Sequence, residues 1–346
     1  MRALTISAHG GLEQLRLLDD LEVPQLRTPT DVRVRVSAAA LNHLDLFMVA
    51  GVPGATIRPP WTLGSDGSGV VETVGSGVAA LAVGDRVVIN GGISCRGCEY
   101  CRAGEQPLCI RFGLLGEHHP GTLAEFLVVD AANLRRIPFA IPEPQAAAFT
   151  LATLTAWRMV VARARVQAGE NVLIQGVGGG VAVAALQVAK LRGARVWVTS
   201  SSDAKLAKAA ALGADETLNY TAVDVAREIR ARTGKRGVDV VIDSVGKATW
   251  AQSLGALGRR GRLVTCGGTT GPMVETDVRK LFWNQWTLMG STMGNDAEFD
   301  AIMAEFTAGR LVPPVDSVFA LSDGRAAFER LASGEQFGKV VLEIAR

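Results

Sequence analysis

The side chains best equipped for chemistry stand in two places. Cys95, Cys98, Cys101 and Cys109 are separated by two, two and seven residues, with Gly97, Gly104 and Pro107 letting the chain wrap between them. Four thiolates so spaced are expected to close a tetrahedral shell around one structural zinc per chain. With no open position, such an ion orders a loop and does no chemistry. An iron–sulfur cluster is the competing reading, but the last spacing is long for a ferredoxin run and the sequence holds no second group of cysteines. The fifth cysteine, Cys266, ends the apolar run Leu263 to Cys266 and reads as a buried core thiol rather than a nucleophile.

The second place runs from Gly176 through Val177, Gly178, Gly179, Gly180 and Val181 to Ala182, putting small residues at Gly176, Gly179 and Ala182. That spacing allows a tight turn, close approach of backbone to a pyrophosphate, and helix packing on a strand. The amide groups at the following helix N-terminus are expected to hold the phosphates. A second strand should end near Ser200. An acid there would bind the ribose 2′-hydroxyl of NAD, but the chain offers Thr199, Ser200, Ser201 and Ser202, with no acid before Asp203. Hydroxyls with Lys205 nearby favour the 2′-phosphate of NADP(H). In the bland alternative, the serines only cap a helix and Lys205 only faces solvent.

These residues need elements to position them. Up to about residue 150 the chain shows short alternating stretches, Val32 to Val36, Gly69 to Val74 and Arg86 to Ile89, between Gly, Pro and Asp turns. From Leu151 a strand–turn–helix rhythm takes over: Asn171 to Gln175, Val181 to Leu191, Arg195 to Ser200, Lys205 to Leu212, Val238 to Ser244 and Arg262 to Cys266. Alternating strands and helices imply a parallel sheet covered on both faces. A helix over Ala297 to Gly309 and a strand over Val340 to Ile344 are expected to return to the first part.

Composition agrees with a large packed chain of two domains. The 346 residues are 48% apolar and 20% charged, enough for two cores. Thirty-six basic against 34 acidic residues leave a net charge of +2, giving no footprint for nucleic acid or an anionic membrane. Met1 to Gly10 lacks the apolar core of a signal peptide, and no apolar stretch is long enough to span a bilayer, so a cytoplasmic location is expected.

The order of β-rich part, four-cysteine lobe, Leu151 to Trp157 and glycine turn resembles the medium-chain dehydrogenase/reductase superfamily over essentially the whole chain. Leu63 to Gly77, Val83 to Val88, Gly121 to Phe126, Leu212 to Tyr220 and Phe337 to Leu342 match further. The resemblance implies an α/β fold: a Rossmann doubly wound parallel sheet plus a GroES-like β-rich catalytic domain. Its implied boundaries are 1–152 for the GroES-like domain with a zinc lobe at 92–113, 153–294 for the dinucleotide-binding domain, and 295–346 returning to the first. It also implies a homodimer whose sheets join at the strand near Thr287 to Ser291.

Alcohol dehydrogenases of that superfamily bind catalytic zinc through a Cys, a His and a Cys or acid. At the matching positions this chain has Asn42, Ser65 and Leu151, which cannot form a tight first shell for zinc. Leu44 and Phe47 replace the family's proton relay. Asn42 to Phe47, with Asp45, instead resembles the zinc-free quinone oxidoreductases, and Lys205 and Tyr220 match their NADPH contacts. Thr155, Val245, Gly338 and Lys339 match positions near the cofactor.

What this implies is an NADPH-dependent oxidoreductase that transfers hydride to an activated alkene, enone or quinone without catalytic zinc. The candidate catalytic residues are Asn42, His43, Ser65 and Asp66, with the Asn42 amide and Ser65 hydroxyl as donors to the developing oxyanion. Asp45 and Asp66 read as structural acids rather than proton donors, His118 and His119 as loop residues beside a cleft, and Trp61 and Phe47 as core. The candidate cofactor contacts are Thr155, Gly176, Gly178, Gly179, Gly180, Val181, Ser200, Ser201, Lys205, Tyr220, Val245 and Lys339. Two alternatives stay open: a zinc-type alcohol or aldehyde dehydrogenase with a remodelled metal site, and an NADPH-binding protein without turnover.

Overall fold

The computed structural model describes residues 1–52 and 56–344. The chain divides into two compact units, one of Met1–Leu151 with Asn295–Arg346 and one of Ala152–Gly294.

The first unit is built on a seven-stranded sheet. Its central strand, Asp31–Ala40, starts with strict alternation: Val32, Val34 and Val36 are buried, while Asp31, Arg33 and Arg35 point outward. Side chains two apart share a face of a strand, so this pattern turns one face to the core. The strand then ends in Ala38, Ala39 and Ala40, all buried, where small side chains let neighbouring strands close in. One edge of it pairs antiparallel with Asp66–Val74, setting Ala40 opposite Asp66. The other pairs with Lys339–Glu343, setting Ala40 opposite Val341. This register carries Asp66 and Lys339, 273 residues apart in the chain, to either side of the same strand end.

Leu4, Ile6, Met48, Leu63, Ile89 and Phe328 belong to the core beneath that sheet. Gly64 is required just before Asp66, because its φ is +98° and a Cβ there would lie 2.5 Å from Thr122 Oγ1 and 2.9 Å from the Leu123 nitrogen. Its own amide is free to serve Asp45.

The second unit holds a six-stranded sheet in the order Glu216–Asn219, Arg195–Ser200, Asn171–Ile174, Val238–Asp243, Leu257–Thr265, Thr287–Gly290. Every pair is parallel. Numbered from the first strand of the unit, this is the doubly wound order 3-2-1-4-5-6, which creates a switch point between Asn171–Ile174 and Val238–Asp243. Strands covered on both faces should be apolar throughout, and Val172, Leu173, Ile174, Val196, Trp197 and Val198 are all buried. Truncating Trp197 to alanine is expected to cost about 3–5 kcal/mol.

Several elements were not signalled by apolar periodicity: the helices Val225–Arg232, Lys247–Ala256 and Gly324–Ala332, and a wider helical turn over Arg158–Arg163. Two core assignments also change. Phe47 is 40% exposed, since it lies on the outer face of the short helix His43–Ala50, whose buried side carries Asp45, Met48 and Val49. Cys266 is half-buried rather than fully enclosed because it follows the end of its strand at Thr265. Its surroundings and Asp243 still push the thiol up to about 12, which agrees with an unreactive side chain.

Candidate active site

Asn42 precedes the helix His43–Ala50 and follows the buried alanine run. Its backbone N–H donates to Asp45 Oδ2 at 2.7 Å, and the Gly64 N–H donates to Asp45 Oδ1 at 2.9 Å. Asp45 is therefore the brace between the two segments that carry Asn42 and Ser65. Burial pushes its carboxyl up to about 6, against the opposing pull of the Asn42 N–H and the Lys339 ammonium.

Asp66 is fully buried and is surrounded by donors. Thr150 Oγ1 and the Leu151 N–H each lie 2.7 Å from Oδ1. Thr150 Oγ1 is equally close to the Ile89 carbonyl, so its one proton serves one acceptor at a time. On Oδ2, Asn42 Nδ2 donates at 3.0 Å and Lys339 Nζ at 2.8 Å. Lys339, 4% exposed, also donates to Asn42 Oδ1 at 2.5 Å. Lys339, Asn42 and Asp66 form a closed triangle of hydrogen bonds.

This geometry redistributes the sequence candidates. The Asn42 amide, expected as an oxyanion donor, has its nitrogen directed at Asp66 and, at 3.4 Å, at the Ala40 carbonyl. Ser65, expected as the other donor, is buried and gives its only proton to the Leu115 carbonyl at 2.6 Å. Lys339, expected at the cofactor, has its ammonium against Asn42 and Asp66. Thr150 and the backbone of Leu151 were missed. Nothing in the sequence ties them to Asp66, although a lysine heading the apolar run Val340–Val341–Leu342 was a usable signal of a buried charge.

His43 opens its helix and is solvent-exposed, its ring centroid 6.4 Å from that of Phe47. Desolvation by the surrounding protein and the nearby Lys339 charge hold the imidazole below its ordinary range, so it is neutral at pH 7. His118 and His119 are exposed on their loop, and Trp61 is buried with its indole N–H on the Gly116 carbonyl at 2.8 Å.

The four cysteines converge: their Sγ atoms all lie within 4.8 Å of one another. A tetrahedral zinc–thiolate shell with bonds of about 2.3 Å places sulfurs about 3.8 Å apart, and the separations of 3.5 Å for Cys98–Cys101 and 4.0 Å for Cys95–Cys101 bracket it. The Gly97 N–H and the Cys109 side chain draw the Cys95 thiol down to about 5, while burial pushes Cys101 up to about 11. The donor set fits zinc. Backbone N–H groups of Cys95 and Arg111 donate to Cys109 Sγ, as outer partners of a thiolate shell do. Arg96 and Gln106 both reach Asp296 and fasten the lobe to the helix Asp296–Thr307. Among the described residues these four cysteines are the only group of three or more Cys, His, Asp or Glu side chains close enough to share an ion.

In the second unit the glycine segment turns as a phosphate cradle requires. Gly176 has φ +68° and Gly178 φ +134°, and the Gly176 N–H donates to Thr199 Oγ1 at 3.0 Å. Gly179 differs: its φ of −74° is open to any residue, and a Cβ there would meet nothing within 4 Å. Neither backbone conformation nor internal packing calls for glycine at 179. The space its missing side chain leaves lies at the start of the helix Gly180–Leu191, whose first turn carries no acid. A helix N-terminus opened in this way suits an anionic group.

At the end of Arg195–Ser200, Ser202 caps the next helix by accepting from the Lys205 N–H, and Ser200 Oγ accepts from the Ser202 N–H at 3.2 Å. Asp203, the first acid after the strand, is tied to Asn219 Nδ2 at 2.7 Å. Ser201 and Tyr220 are exposed and Lys205 half-buried. Thr155 is buried with its hydroxyl 3.7 Å from Met293 Sδ, and the Val245 carbonyl accepts from Thr270.

The chain resembles known proteins over nearly its whole length. Residues 28–139 match the model of the alcohol dehydrogenase GroES-like domain and residues 180–308 that of the zinc-binding dehydrogenases. A zinc-type alcohol dehydrogenase-like protein of Schizosaccharomyces pombe is 32% identical over 97% of this chain and 96% of its own. A human quinone oxidoreductase is 28% identical over 99% and 97%. A crystal structure described as an NAD-dependent alcohol dehydrogenase is 44% identical, covers all of both chains and superposes with a TM-score of 0.95.

Proposed function

Since the chain belongs to the medium-chain dehydrogenase/reductase superfamily, in its zinc-type alcohol dehydrogenase-like and quinone oxidoreductase-like branch, and is an oxidoreductase, we propose that it transfers hydride from NADPH to an activated alkene, enone or quinone without a catalytic zinc. The observation that carries this reading is the triangle of Asn42, Asp66 and Lys339. Asn42 matches by resemblance the first zinc ligand of the family's alcohol dehydrogenases, and here an ammonium bridges its amide oxygen and the Asp66 carboxylate. A second cation there would face the Lys339 ammonium, and among the described residues no three Cys, His, Asp or Glu side chains outside the four-cysteine lobe come close enough to share an ion.

NADPH supplies the hydride. Gly176, Gly178, Gly179, Gly180 and Val181 are proposed to hold its pyrophosphate, and Ser200, Ser201, Lys205 and Tyr220 its adenosine end, with Thr155 and Val245 nearer the nicotinamide. The carboxylate-free end of Arg195–Ser200 supports NADP over NAD. Asn42, His43, Ser65 and Asp66 are proposed as the catalytic group: Asp66 and Ser65 fix the wall, Asn42 positions Lys339, and water supplies the last proton, directly or passed on by the neutral His43 ring, which takes one proton as it gives another. Cys95, Cys98, Cys101 and Cys109 are proposed to hold one structural zinc. A homodimer is proposed through Thr287–Gly290, the edge strand of its sheet, beside exposed Phe282 and Trp283.

The likeness to a protein described as an NAD-dependent alcohol dehydrogenase favours a second reading, oxidation of an alcohol with NAD. Following nicotinamide absorbance with enones, quinones, aldehydes and alcohols, each with both nucleotides, separates the two. NADPH-dependent reduction of an enone or quinone supports the proposal. Turnover confined to alcohols and NAD supports the second reading, and nucleotide binding without turnover on the whole panel contradicts both.

A further inference from the structure

Reduction of a conjugated carbonyl or quinone leaves negative charge on the substrate oxygen, and something must meet it. When hydride reaches the β-carbon a C–H bond forms there, the alkene pair moves to join the α-carbon and the carbonyl carbon, and the carbonyl pair goes to oxygen. A proton then adds at the α-carbon, the nucleotide being what is oxidised. Of the donors in the first unit, Ser65 has spent its proton on Leu115, and the Asn42 amide is turned to Asp66 and Ala40.

Lys339 is different. An ammonium has three N–H donors; two go to Asn42 Oδ1 and Asp66 Oδ2, and among the described residues no acceptor takes the third. We propose that Lys339 is a catalytic residue: its ammonium is the fixed cation that receives the developing enolate or quinol oxygen, in the role a metal ion fills elsewhere in the family. The assignment rests on the functional reading given above.

Two further features support it. A buried ion pair seldom repays its desolvation in stability, so one kept at 4% and 0% exposure calls for another reason. The pair is also preorganised, because Asp66 is pinned from behind by Thr150 and the Leu151 N–H and cannot swing with the ammonium. A charge that need not reorient during reaction stabilises charge most effectively.

The test uses the full-length protein in three forms: wild type, Lys339→Met, and Lys339→Met with Asp66→Asn, which removes both charges and leaves no buried carboxylate unpaired. Folding is checked by thermal unfolding. With an enone or quinone the assignment expects kcat to fall at least 100-fold in both variants, while the NADPH dissociation constant, read by fluorescence titration, moves less than threefold. A second readout needs no turnover. Para-nitrophenol, whose ionised form absorbs separately, should bind the wild type as phenolate with its apparent pKa lowered, and the double variant should lose that preference at least tenfold. Wild-type turnover with kcat kept within threefold in the folded double variant overturns the role of Lys339 alone. So does equal nitrophenolate preference in the two proteins, or a loss confined to NADPH affinity. No wild-type turnover with any carbonyl acceptor overturns the functional reading and the assignment with it.

Discussion

Lys339 Nζ lies 2.8 Å from Asp66 Oδ2, joining the first residue of one strand to the first residue of another across the end of Asp31–Ala40. Both partners are buried, and removing one leaves the other as a bare charge in a low-dielectric wall. Lys339→Met is therefore expected to cost about 3–5 kcal/mol, with much of it recovered when Asp66→Asn is added. Urea unfolding of the two variants measures this. Equal instability of single and double variants would show that the pair is not energetically coupled.

Gly176 and Gly179 should behave oppositely on substitution. Gly176→Ala forces a side chain into φ +68° and to 3.2 Å from Val245 Cγ2, costing about 1–2 kcal/mol of stability. Gly179→Ala meets neither obstacle and should leave the stability of the nucleotide-free protein within about 0.5 kcal/mol. It should still weaken nucleotide binding at least tenfold, because the added methyl occupies the phosphate's place. Calorimetric titration alongside thermal unfolding checks both, and unchanged affinity in Gly179→Ala removes the phosphate from that opening.

Asp316 ties the return strand to its helix. Burial acts to raise its carboxyl, but the two-pronged contact with Arg330 at 3.0 and 3.1 Å and the Phe337 N–H outweigh it, so the net shift is downward. A depressed carboxyl contributes stability above its ordinary value of 3.8, and that contribution is lost as pH falls through the lower folded value. Asp316→Asn should cost about 1–3 kcal/mol at pH 7, and the difference from wild type should shrink toward pH 3. Because Phe337 stands two residues before Lys339, kcat should fall as well.

Asp45 carries the reverse sign. Its folded value of about 6 lies above the ordinary 3.8, so between these the folded state binds a proton that the unfolded state does not. The contribution of Asp45 to stability therefore grows as pH falls from about 6 toward 3.8. Asp45→Asn should abolish that slope and, by setting an amide NH₂ against one of the two backbone donors, destabilise by about 1–3 kcal/mol at pH 7. Stability curves at pH 4, 5, 6 and 7 for both proteins give the answer; parallel curves would contradict it.

The sequence made local matters legible. The strand and helix rhythm after residue 151, the glycine turn and the four-cysteine spacing are all written within short windows, because each depends on φ preferences, face periodicity or ligand reach. The triangle was not legible. Asn42 and Asp66 were visible as candidates, but their orientation is decided by Lys339, which reaches them only through strand register set by the whole first unit. Ser65 shows the same limit: a hydroxyl two residues beyond Leu63 reads as a free donor until the Leu115 carbonyl, 50 residues on, takes its proton. Phe47 was misplaced because its helix is only eight residues long and buries just one narrow side.

Hydride transfer without a metal at the reacting carbon is tested most directly by counting zinc while measuring turnover. After dialysis against a chelator too weak to strip a four-thiolate site, the account expects one zinc per chain, undiminished NADPH-dependent reduction of an enone or quinone, and no gain when zinc is returned. A second zinc per chain, bound beside Asn42 and Asp66 and lost together with activity, would contradict it.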